Sequence, residues 1–232
     1  MDKDQREPAL DKPPQTNRFE WLGYVLPMAA FMAFTLIEGN LPQYAVPLYI
    51  GKALLITILL LVFRRPLKDI RFDAKMLIPA IAVGLAVFVE WIVIDPITPH
   101  FAFLGKRSST NPLAAFPDPT QRALFLAVRF YGLAIMVPLM EEIFWRSFLL
   151  RWITKPEYEE LPLGTYNMTA FVAVAAIFGF AHQEWLAAII CAASYALLLR
   201  QTKSLFACVV AHGVTNLTLG IYILMTQQWH YW

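Results

Sequence analysis

A series of apolar runs, each close to twenty residues and separated by short polar or proline-bearing stretches, limits this chain more than any other feature. A helix needs about 20 apolar residues to cross a hydrocarbon layer of roughly 30 Å. Lipid offers no partner to backbone N–H and C=O groups, so a spanning segment must be a helix or part of a closed barrel. The runs are unbroken rather than alternating, which selects helices. They read as Trp21 to Glu38, Tyr44 to Phe63, Leu77 to Ile94, Ala123 to Leu150, Met168 to His182, Trp185 to Leu199 and Leu205 to Met225. The expected fold is all-α: a polytopic membrane helix bundle with about seven transmembrane helices, six to eight being allowed. Of the 232 residues, 58% are hydrophobic and only 16% charged, and the mean hydropathy of +0.52 sets the chain apart from water-soluble domains.

Residues 1–20, MDKDQREPALDKPPQTNRFE, mix acids, bases and prolines with few apolar residues, which predicts a disordered tail. Their mixed charges, with no short apolar core and small-residue cleavage site behind them, do not make a signal peptide. Residues 21–232 are then expected to form a single membrane-embedded helical domain. The segment RRPLKDIRFDAK between the second and third runs carries Arg64, Arg65, Lys68, Arg71 and Lys75, which the positive-inside rule assigns to the cytoplasm. The N-terminal tail is therefore cytoplasmic too. The count also places the loop around Lys155 and the turn around Arg200 and Lys203 inside, whereas Lys106, Arg107 and Arg122 fall outside. The long loop from Asp95 to Gln121 has room for a short interfacial helix. A formal net charge of +2, with the basic residues at the ends of apolar runs, argues against nucleic acid and for the bilayer as partner. Cys191 and Cys208 sit in apolar surroundings without CxxC spacing and read as reduced, packed thiols.

Against this background the stretch VPLMEEIFWRSFLL, residues 137–150, is anomalous. An ionised group at mid-membrane costs roughly 2.5 to 3.5 kcal/mol on insertion scales, so intramembrane acids and bases are functional candidates. Glu142 and Arg146 are four apart and share a helix face, where they can pair, while Glu141 is turned from that face by about 100°. One carboxylate is compensated and the other is not. Two more runs carry polar edges at the same spacing: Phe178 and His182 in FGFAHQEW, and His212 and Asn216 in AHGVTN. A carboxylate, two imidazoles and an amide are equipment for hydrolysis: a base for water, groups to hold or share its proton, and donors to a developing oxyanion. A lone histidine on such a helix is ordinarily a core residue, and the three faces could instead be a structural polar network. GxSxG is absent and neither cysteine has a polar setting, which disfavours a covalent nucleophile. HExxH is also absent, so the expectation is no cofactor and no metal ligand, with a zinc-dependent protease as the alternative. A transporter or proton relay and an immunity protein are alternatives from other classes. Glu90, Asp95 and His100, near a span boundary, have no assigned role.

The three motifs EExxxR (Glu141, Glu142, Arg146), FxxxH (Phe178, His182) and HxxxN (His212, Asn216), in this order on the fourth, fifth and seventh apolar runs, resemble the CAAX-protease and bacteriocin-processing family of glutamate-dependent intramembrane endopeptidases. The resemblance covers about residues 120–225. It implies that Glu141 and His182 activate water, that His212 and Asn216 stabilise the oxyanion, and that Glu142, Arg146 and Phe178 support them. It further implies an integral multi-pass protein of a bacterial or archaeal cytoplasmic membrane. Its substrate would be a membrane-attached peptide or protein, prenylated or sorted, cut near the C-terminus.

Overall fold

The structure, a computed structural model, describes residues 21–101 and 111–232. The tail expected at residues 1–20 lies outside the described residues, as does part of the Asp95–Gln121 loop. Every regular element among the described residues is helical. In chain order these are α1 (Leu22–Asn40), α2 (Ala45–Val62), α3 (Leu77–Ile94), a short α4 (Pro112–Ala115), then α5 (Pro119–Tyr131), α6 (Val137–Glu142) and α7 (Leu150–Thr154), followed by α8 (Met168–Phe180), α9 (Trp185–Thr202) and α10 (Leu205–Thr226). Six helices are long and apolar enough to cross a membrane, and α8 is a shorter apolar one. The protein is an integral, multi-pass membrane protein.

The span expected at Ala123 to Leu150 is longer than its apolar run. Helices α5, α6 and α7 join into one rod, Pro119–Thr154, through π-helical turns at Gly132–Met136 and Ile143–Leu149. The sequence marks its start: Pro119 occupies the first turn and Asp118 Oδ1 accepts from the Gln121 N–H at 2.8 Å. Pro138 lies in the first turn of α6 directly after the wide turn, which already departs from the regular α ladder on which a proline would clash. The second wide turn begins one residue after the Glu141–Glu142 pair.

Asn167 Oδ1 caps α8 through the Ala170 N–H at 3.0 Å, and Ser204 Oγ caps α10 through Ala207 at 3.2 Å. Lys203, at φ 55, closes α9 in the left-handed region, so α9 and α10 meet in a two-residue turn. Helix α8 stops at Phe180, earlier than expected, and His182 lies in the turn before α9 rather than on a span.

Small residues bring α10 against two neighbours, since lipid supplies no hydrophobic drive between helices and close backbone approach must substitute for it. A Cβ on Gly84 of α3 would come within 2.4 Å of the Ala211 carbonyl oxygen, and one on Gly213 within 2.7 Å of that of Ala134. Thr215 Oγ1 fastens the first contact by donating to the Gly84 carbonyl at 2.7 Å. Helix α10 is thus held between α3 and the long span, and HGVTN is the segment at the crossing.

Candidate active site

The crossing presents its polar residues to the acidic pair. Glu142 is fully buried. Its Oε1 lies 2.8 Å from His212 Nδ1 and its Oε2 lies 3.2 Å from Arg146 Nε. A carboxylate only accepts, so the first contact puts a proton on Nδ1 and leaves Nε2 of His212 for another partner. The second is an ion pair without hydrogen-bond alignment, and all three guanidinium nitrogens of Arg146 are buried without hydrogen-bond partners. The guanidinium sits between two rings, 4.9 Å from the centre of Phe178 and 5.3 Å from that of Tyr195, where cation–π attraction acts.

Glu141 does not join this group. It is 5% exposed, and its Oε2 is buried without a hydrogen-bond partner. The separation of the two adjacent acids, one paired and one not, is therefore as the helical geometry predicts. The role expected for Glu142 was too narrow, however, because it holds His212 as well as Arg146. A contact between residues 70 apart has no local signature from which the sequence could have shown it.

Asn216, one turn beyond His212, donates its amide to the Leu133 carbonyl at 3.0 Å and so ties α10 to the first wide turn. One amide hydrogen and the side-chain oxygen remain for other partners. His182 Nδ1 lies 2.8 Å from the Phe178 carbonyl oxygen, and its ring stacks on Phe178 with centroids 4.5 Å apart. Trp91 of α3 closes the other side, edge-on at 5.9 Å. Phe178 thus touches His182 with one part of its surroundings and Arg146 and Trp145 with another. The structure brings Glu142, Arg146, Phe178 and His212 into direct contact and sets Glu141 beside them. His182 reaches the cluster through Phe178, and its bond goes to that residue's carbonyl rather than to Glu141.

Tyr195 completes the group and was missed from sequence. Fully buried, it lies 5.5 Å from the His212 ring and bonds Thr215 Oγ1 at 2.7 Å. The available signal was a lone tyrosine in the small-residue stretch CAASYA. Cys191 and Cys208 are free and buried, as expected. Of the residues left unassigned, Asp95 is buried 3.7 Å from His100 Nε2, and both oxygens of Glu90 are buried without partners. Among the described residues no group of three or more His, Cys, Asp or Glu side chains gathers as a metal site would.

Glu141 Oε2, Glu142 Oε2, Trp145 Nε1 and the three Arg146 nitrogens make a concentration of buried polar atoms without hydrogen bonds within six residues of one helix. Buried polar atoms are nearly always satisfied, so such a concentration is a place that water or the polar groups of a ligand complete.

Fold and cluster define a class: a multi-pass helical membrane protein with an acid pair, a guanidinium and an imidazole in its interior. Residues 123–218 match the family model described as type II CAAX prenyl endopeptidase Rce1-like. That segment contains all three motifs, and over it the chain is similar to the CAAX-protease and bacteriocin-processing family of membrane endopeptidases. No curated protein and no solved structure matches the chain.

Proposed function

We propose that the protein hydrolyses a peptide bond near the C-terminus of a membrane-attached, prenylated or sorted protein, with Glu141 as the base that activates water. The observation that carries this reading is the division of labour between adjacent acids: Glu142 is engaged by Arg146 and His212, whereas Glu141 Oε2 has no partner. A base must be free to accept a proton, and Glu141 is the member of the pair that is free. His182 shares or positions that proton. His212, its Nδ1 fixed by Glu142, turns Nε2 to the oxyanion, and Asn216 adds its remaining amide hydrogen. Arg146 pairs with Glu142 in an apolar interior, and Phe178 holds Arg146 and His182 in place.

The test uses the purified protein in detergent and an internally quenched peptide ending in a prenylated cysteine and three further residues. Glu141→Gln is expected to lower kcat by about 100-fold or more, the range of general-base contributions, and His182→Ala and His212→Ala to lower it substantially. Phenanthroline should leave the parent rate unchanged. Equal cleavage by parent and Glu141→Gln would end the proposal, and loss of activity to the chelator would move it to the zinc form.

A further inference from the structure

A groove of about 350 Å³ runs between α3 and α9, apart from the cluster formed by Glu142 and His212. Glu90 lines it together with Ser194, and both Glu90 carboxylate oxygens are buried with no hydrogen-bond partner among the described residues. Glu90 lies four residues before the end of α3, about 6 Å along the axis, close enough for a long side chain to turn its charge out toward the interface. It does not do so. An acid that could reach water but sits unpaired in an apolar groove is placed to receive a donor, and an isolated intramembrane carboxylate is expected to have a partner.

The rest of the groove describes that partner's shape. From Glu90 it extends back along α3 past Ala86 to Val83, and along α9 from Ser194 past Leu197 to Gln201, about 10 Å in each case. Apart from Ser194 and Gln201, the wall beyond Glu90 is aliphatic, so one end is acidic and the length is apolar. The geometry points to a binding site for a cationic amphiphile of the bilayer, its ammonium on Glu90 and its single chain lying between α3 and α9. This does not depend on the peptidase reading. Trp91, the next residue, packs on His182, so an occupant would lie one residue from the ring that borders the proposed active site.

The experiment follows thermal unfolding of the full-length protein in a non-ionic detergent, titrated with decylamine or with decanol as the uncharged chain of the same length. Decylamine is expected to raise the parent's Tm by at least about 2 °C, and decanol to leave it within error. Glu90→Gln, which keeps the side chain's shape, should unfold at the parent's temperature without amine and gain nothing from decylamine. Ala86→Trp, which fills the groove from one wall, should abolish the shift while leaving Glu90 in place. An equal response to decanol, an unchanged decylamine response in Glu90→Gln, or no response in the parent would each overturn the site.

Discussion

Arg146 and Glu141 are both buried charged residues, but their replacement should have very different consequences for stability. Arg146→Ala removes the cation beside a fully buried carboxylate and takes a guanidinium from between Phe178 and Tyr195. Stranding one member of a buried pair costs roughly 3 to 5 kcal/mol. Glu141→Gln keeps the shape of a side chain whose Oε2 bonds nothing, so its cost should stay within about 1 kcal/mol. Thermal unfolding in detergent should therefore rank Arg146→Ala far below Glu141→Gln, and similar melting temperatures would show that Arg146 does not sustain Glu142. At this scale the sequence shows pairs on one helix and conceals those between helices. The Glu142–Arg146 pair follows from its spacing, whereas the Glu142–His212 bond follows from how α10 crosses the long span. Tyr195 escaped notice for the same reason, because its importance comes from its neighbours on other helices.

The helices themselves were largely legible, because the length of an apolar run is a direct physical requirement of the bilayer. The run Leu77 to Ile94 coincides with α3. The long span exceeds its apolar run at both ends: Pro119 to Arg122 and Arg151 to Thr154 are polar enough to end an apolar run yet remain helical. The π-helical turns were not legible, since no residue type marks the insertion of one extra residue per turn. Helix crossings were partly hidden too, because glycine in a membrane helix signals close approach without naming the helix approached. Gly84 and Gly213 acquire meaning once the Ala211 and Ala134 carbonyls are seen against them. Gly84→Val should force α3 and α10 apart, stretch the Thr215 bond to the Gly84 carbonyl and cost roughly 1 to 3 kcal/mol. The same displacement would move His212 off Glu142, so peptidase activity should fall with stability. A Gly84→Val variant with the parent's Tm would show that the helices yield at no cost.

For the molecule as a whole, the contacts divide the ends of the helices into two faces. Arg151 Nη2 donates to Asp69 at 3.1 Å and Nη1 to the Leu161 carbonyl at 3.1 Å, while Ser147 also bonds Asp69. Arg65 pairs with Glu159 at 3.0 Å, and Lys203 Nζ donates to the Gly164 carbonyl at 2.6 Å. The basic 64–75 loop, the end of the long span and the α9–α10 turn therefore share one face. On the other, Trp185 Nε1 donates to the Pro99 carbonyl at 3.0 Å, and Trp232 lies 5.1 Å from the Arg129 guanidinium. Helix α8 has 13 residues, about 20 Å at 1.5 Å per residue, too short to cross alone. With α9 it forms a hairpin whose two ends meet at Gly164 and Lys203, so the hairpin returns to the face it left however deep its tip lies. Opposite sides for residues 21 and 232 then follow from the other five spans, and the positive-inside rule predicts a cytoplasmic 64–75 loop. Cys191 and Cys208 are buried, so an introduced surface thiol can be distinguished from them by reactivity. In intact cells a membrane-impermeant maleimide should label Gln228→Cys and spare Lys68→Cys, and in inside-out vesicles the pattern should reverse. Labelling of both thiols from one side would contradict the hairpin, because removal of one crossing is the change that brings residues 68 and 228 to the same face.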